Sequence, residues 1–305
     1  MRAPSENAYR GCLLGLALGD AAGAPYEGGP LERALWGLLG HTRTGKHRWT
    51  DDTQMTLDLG ESLLVCQGLN PDHLAEAFAR SYRWHRGYGP GMARLLKRIR
   101  RGESWQQANR AVYPDGSFGN GAAMRAPVLA LFYFSQPAEL LAAARQSAEI
   151  THAHPLGVAG AVLLASATAA LLRGSSDLDF IAQAVKDAAA PVFETQWQEI
   201  QGWQAAGHLP EARELARSLG NGMTAASSCM TALYLAWRFR ALPFEDLLHF
   251  ARRLGGDVDT LCAMSGALWG AANGAEALPQ ERLQRLEQLE RLQALADALY
   301  QQAQP

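Results

Sequence analysis

"GVAGAVLLASATAALL", residues 157–172, is the longest apolar run in the chain, and it must either cross a membrane or fill a core. A membrane span needs roughly 20 apolar residues, more than this run supplies. Its glycines, alanines and hydroxyls suit close packing against other helices. We therefore expect a buried core helix and no membrane partner.

Helical periodicity continues on both sides of it. "NPDHLAEAFARSYRWHRG" (70–87) offers Asn70 as a cap, Pro71 at the first helical position, and Leu74, Phe78 and Tyr82 four apart before a terminating Gly87. Met55, Leu59 and Leu63 give the stretch after residue 50 an apolar stripe. Further helices fit 7–19, 91–101, 104–112, 122–134, 137–149, 155–172, 177–189, 209–219, 224–240, 243–253, 258–271 and 280–301. Alternating strand patterns are scarce, and no βαβ rhythm, Pro/Ser-rich linker or solenoid period interrupts the chain. The pattern predicts an all-α fold, a single compact multi-helix domain over residues 1–305. The last stretch, with Leu283, Leu286, Leu289, Leu292 and Leu295 three apart, reads as one amphipathic helix packed on the body of a monomer, with a dimer contact as the alternative.

Bulk composition agrees with a globular enzyme-sized core. Of 305 residues, 48% are hydrophobic and 19% charged, which excludes disorder. A net charge of −2 gives no sign of a nucleic acid or anionic membrane as partner. Cys12, Cys66, Cys229 and Cys262 form no CxxC pair, as expected of buried thiols in a reducing compartment. No signal peptide is visible, so a cytoplasmic setting is expected.

Two short motifs lie about two hundred residues apart. "RWTDDTQM" (48–55) places Thr50, Asp51 and Asp52 at a helix start, and "RLGGDVDTL" (253–261) places Asp257, Asp259 and Thr260 at another. Each alone suits a capped helix, since caps and acids satisfy free N–H groups and the dipole there. Facing each other, the two would offer four carboxylates and two hydroxyls, a donor set for hard cations such as Mg²⁺. Gly255 and Gly256 would let the chain turn sharply before the second motif.

Three further stretches carry polar residues. "LGLALGDAAGAPYEGG" (14–29) ends an apolar helix in Asp20, either a site group or a buried carboxylate bracing the fold, and then bears Glu27 on a loop. "DGSFGNGAAMRAP" (115–127) surrounds Asn120 with glycines before a helix, a turn able to cradle phosphate or ribose oxygens or simply to cap. "ITHAHPLGVAGA" (150–161) sets His152 and His154 before the core helix, without the partners a zinc site requires. "GYGPG" (87–91) is no dinucleotide fingerprint, and neither GxSxG nor HExxH occurs.

In this order the five stretches resemble the ADP-ribosylglycohydrolase family, of the dinitrogenase reductase-activating glycohydrolase type. The resemblance spans nearly the whole chain and is poor from about 175 to 222. It implies an all-α hydrolase with two Mg²⁺ ions, or Mn²⁺, held by Thr50, Asp51, Asp52, Asp257, Asp259 and Thr260. Glu27, Asp51 and Asp259 would serve catalysis, with Glu27 as the acid/base. Ser117, Gly119, Asn120, Gly121 and His152 would hold ribose and phosphates, and Phe118 would stack on adenine. The implied substrate is an ADP-ribosylated protein or small ADP-ribose conjugate, cleaved at its N- or O-glycosidic bond. Where arginine-specific bacterial members carry an aspartate, this chain has Ser117, as in members acting on hydroxyl linkages, whereas "GNGAAMR" and "ITHAHPL" resemble the arginine-specific type. A catalytically inactive ADP-ribose-binding relative and a different magnesium-dependent nucleotide hydrolase are the competing expectations.

Overall fold

Proline, which lacks an N–H and arrives with a helical φ, opens seven of the helices. The computed structural model describes residues 5–303, and among them it holds eighteen α-helices and no strand. In chain order these begin with α1 (Glu6–Gly23), α2 (Pro30–Leu39), α3 (Asp51–Cys66), α4 (Pro71–Ser81), α5 (Pro90–Arg100) and α6 (Trp105–Val112). Next come α7 (Gly121–Arg125), α8 (Pro127–Phe132), α9 (Pro137–Glu149), α10 (Pro155–Leu172), α11 (Asp179–Ala188) and α12 (Pro191–Ala205). The remainder are α13 (Ala212–Ser218), α14 (Cys229–Arg238), α15 (Phe244–Leu254), α16 (Val258–Asn273), α17 (Gln280–Gln284) and α18 (Leu289–Gln302).

The apolar run 157–172 is indeed a core helix: fifteen of the eighteen residues of α10 are buried. The tightest junction lies elsewhere, between α1 and α16. Gly11, Gly15, Gly19 and Gly23 recur every four residues on α1, facing Gly270, Gly266, Cys262 and Asp259 in turn, so the helices run antiparallel. A Cβ on any of these α1 glycines would fall within 3 Å of α16 or the residue that ends it. Only hydrogen fits, and the two backbones touch. This seam sets the end of α1 against the start of α16.

Four expectations need correction. The span 122–134 breaks at Pro127 into α7 and α8, because proline cannot donate to the preceding turn. The span 224–240 opens with a 3-10 turn, Ala225–Ser227, before α14. The last helix is two: α17 ends, Gln288 takes a left-handed φ of 53°, and α18 begins. Three-residue spacing turns the leucine stripe by about 60° per step, so one straight helix could not bury it. The break lets Leu283, Leu286, Leu292 and Leu295 all point inward. Finally, α2 and α12 had no counterpart in the sequence reading. Leu31, Leu35 and Leu38 of α2 face solvent, and α12 buries only Phe193, Ile200 and Trp203.

The break before α18 also supports the first acidic motif. His47 donates its N–H to Arg285 O (2.7 Å) and accepts from Glu287 N–H (2.9 Å). Trp49 Nε1 donates to Glu287 O, and buried Arg86 bridges Trp49 O and the Glu287 carboxylate, both at 2.7 Å. Residues 47–49 thus reach α3 already fixed.

Candidate active site

Asp20, fully buried at the last turn of α1, organises the first motif. It accepts from Thr50 N–H (2.9 and 3.0 Å), Thr53 N–H (3.1 Å) and the Thr53 hydroxyl (2.5 Å). These donors at the start of α3 would otherwise be unsatisfied. Burial pushes the Asp20 carboxyl up to about 6, against the pull of those hydrogen bonds. Of the two roles open to Asp20, this is the bracing one. Thr50 caps the helix, accepting from Asp52 N–H at 3.3 Å.

The second motif is held from an unforeseen side. Asn221 O accepts from Asp257 N–H (2.9 Å), and Asn221 Nδ2 donates to Leu254 O (2.8 Å). Gly256, with φ of 75°, lies so close to Asn221 O that no side chain fits. Asp257 then sits before α16 and Asp259 in its first turn, accepting from Thr260 N–H at 2.8 Å.

The glycine seam brings the two motifs to one cleft of about 310 Å³. Asp51, Asp52, Asp257, Asp259, Thr260 and Glu27 share its wall, with no lysine or arginine among the lining residues. Thr50, next to Asp51 at the start of α3, borders an adjoining pocket that shares Glu27 and Gly87 with the cleft. Ligand atoms of Asp20, Asp52 and Asp259 lie within 4.8 Å of one another, as do those of Glu27, Asp257 and Asp259. Asp259 belongs to both groups.

Such crowding is costly without compensation. Burial first, then repulsion from their acidic neighbours, lifts Asp51, Asp52 and Asp259 well above the usual carboxylate range. Burial also raises Asp257, offset by a 2.6 Å hydrogen bond from Asn120 Nδ2. Asp52 Oδ2 is buried with no hydrogen-bond partner. Buried carboxylates without cationic side chains and with an unfilled acceptor fit a bound metal cation.

The opposite wall is the loop before α7. Ser117, Phe118, Gly119, Asn120, Gly121 and His152 all line the cleft. Asn120 N–H donates to Met223 O and Ala225 N–H to Phe118 O, both at 3.0 Å, so the loop is paired along residues 223–225. Ser117 Oγ accepts from Gly119 N–H at 3.3 Å. Asn120 spends its amide on Asp257 and on Ser228 Oγ, tying loop to acidic cluster. Phe118 stands half-exposed at the rim, edge-on to His154. His154 caps α10 by accepting from Leu156 N–H at 3.1 Å.

Arg125, fully buried and given no role by the sequence reading, holds this wall from behind. It donates to Gly121 O (2.7 Å), Ser147 O (2.8 Å) and Thr151 Oγ1 (2.9 Å). Thr151 Oγ1 in turn shares a hydrogen bond with His152 Nδ1 at 2.8 Å. Burial and nearby Arg125 push His152 down to about 3, so the ring is neutral. Its Nε2 lies beside Gly119 and Gly121, facing the loop. Asn221 comes from the region that matched poorly, and Met223 and Thr224, which line the cleft, follow just after it; turn residues there carry no periodic signal.

An all-α fold with paired acidic motifs across a glycine-rich loop defines a hydrolase class built around a carboxylate cleft. Residues 1–305 match the family model described as ADP-ribosylglycohydrolase, and the chain belongs to that family. It is 32% identical to "ADP-ribosylhydrolase ARH3" of Mus musculus, over 98% of this chain and 92% of the relative. It is 29% identical to "ADP-ribosyl-[dinitrogen reductase] glycohydrolase" of Rhodospirillum rubrum, over 91% of this chain and 89% of the relative. A solved structure titled "ADP-ribosylglycohydrolase-related protein complex" superposes with a TM-score of 0.70 at 30% identity, covering 98% of this chain and 99% of its own.

Proposed function

We propose that this protein hydrolyses the glycosidic bond between ADP-ribose and a serine hydroxyl of a modified protein, assisted by two divalent cations, Mg²⁺ or Mn²⁺. The observation that carries this reading is the pair of carboxylate groups sharing Asp259 at the end of a cleft whose other wall is the Gly/Asn loop. Thr50, Asp51, Asp52, Asp257, Asp259 and Thr260 hold the cations, while Asp20 fixes the helix start that presents the first three. Bond breaking gives the ribose oxocarbenium character, and the cations, when bound, supply Lewis acidity toward water and ribose hydroxyls.

The chain's own residues do the rest. Glu27, close to Asp259, handles the proton of the water or of the leaving oxygen. His152 and the loop 116–121 bind ribose and diphosphate oxygens, and Phe118 offers its ring to adenine. Ser117 supports the hydroxyl linkage: a neutral residue stands where a carboxylate would favour a guanidinium leaving group.

Release of ADP-ribose from serine- and arginine-modified peptides, with Mg²⁺ and with chelator, tests the proposal. We expect release from the serine peptide, loss with chelator, and a fall of at least about 100-fold in Asp259→Asn. Release that survives chelation overturns the metal mechanism, and preference for arginine overturns the linkage. Binding of ADP-ribose without release identifies an inactive relative.

A further inference from the structure

Beyond Glu27 lies a second pocket of about 240 Å³. Its walls are Leu35, Trp36 and Leu39 of α2, with Trp84 and His85 opposite. Glu27 and Gly87 line both this pocket and the cleft, so the two meet at the acid/base residue. Whatever leaves the anomeric carbon at Glu27, away from the loop that takes ADP-ribose, enters here. This step rests on the hydrolase reading above.

Three observations define what the pocket would take. Its surroundings are openly apolar: Trp84 is 69% exposed and Leu35 51%. Leu31 and Leu38 flank Leu35 on the same face of α2, at 83% and 82% exposure. Large apolar side chains gathered beside a cleft mark a surface for another molecule. Glu27 is the one carboxylate of the pocket's lining, and no lysine or arginine lines it, so beyond the acid/base residue its walls are apolar or uncharged.

We propose that this pocket and the apolar face of α2 bind the polypeptide side of the substrate, seating an apolar residue next to the modified one against Trp36 and Trp84. The occupant is an uncharged or apolar stretch of the ADP-ribosylated protein, and Trp84 and Leu35 determine preference for it. The cleft recognises the nucleotide; this surface recognises which protein carries it.

The test is calorimetric binding of free ADP-ribose and of a peptide bearing ADP-ribose through a non-hydrolysable linkage beside an apolar residue. Wild type should bind the peptide about tenfold more tightly than ADP-ribose. Trp84→Ala and, independently, Leu35→Asp should erase that advantage while leaving the Kd for ADP-ribose unchanged. Both residues are exposed, so the fold should tolerate either change. Peptide affinity unchanged in both variants, or equal losses for peptide and ADP-ribose, overturns the assignment. Because binding is read without turnover, a wild type that binds this way but releases nothing sinks the hydrolase reading alone and upholds the pocket.

Discussion

Asp58 lies about two turns along α3 from Asp51, buried, with Gln54 Nε2 (2.9 Å) and the Ser81 hydroxyl donating to its carboxylate. Burial outweighs those bonds and pushes the carboxyl up to about 7. A folded pKa above the unfolded one means that the native state holds the proton longer. Stability from this group is full below about pH 4 and falls as pH rises toward 7. Asp58→Asn keeps both partners, since Ser81 Oγ can accept instead. It should raise the melting temperature at pH 8 by more than at pH 5, a gain of at most about 4 kcal/mol. Equal gains at both pH values would show that ionisation of Asp58 is not the cause. At this scale the sequence was informative about residue type and silent about partners. Asp51, Asp52, Asp257 and Asp259 could be singled out because two acids flank a threonine twice. That Asn120 would turn to Asp257, or that Asp20 would take up the N–H groups of Thr50 and Thr53, depends on side-chain directions set by tertiary packing.

Between elements, the decisive contact is the one that lacks side chains. Four glycines of α1 at four-residue spacing allow main-chain contact with α16, and Gly19 lies opposite Cys262 O. Gly19→Ala should cost about 1–3 kcal/mol or more, because backbone, unlike a side chain, cannot rotate aside. By driving apart the helices that bear Asp20 and Asp259, it should also lower activity more than stability alone explains. Thermal unfolding and release assays on the same preparation check this; an unaltered protein would refute the seam. The long helices were readable because burial imposes a period of 3.6 on their apolar residues. Helix α2 carries the same helical spacing in Leu31, Leu35 and Leu38 after Pro30, but it is short, and in the structure that apolar face points outward rather than into the core.

On the scale of the molecule, the acidic cleft and the stability of the chain are coupled. Like-charged groups drawn from both halves of the chain repel one another, and a cation that binds only the folded arrangement must stabilise it. Mg²⁺ at about a hundred times its Kd should contribute about 2.7 kcal/mol, a rise of about 5 °C in melting temperature that chelator reverses. No shift with any divalent cation would remove the metal centre from the proposal. The union of the two motifs could be anticipated from their matching composition, but not the agent of it, since glycines mark only where side chains are missing.

The α1–α16 seam has a last consequence, for motion. Helices that meet main chain to main chain have no layer of side chains to slide upon, so their ends open together with the core or not at all. Amide hydrogens of both should exchange only through global opening. A protein built this way has no inexpensive half-open state in which its carboxylates drift apart. Their repulsion is relieved only by positive charge bound where they stand: a proton or a cation.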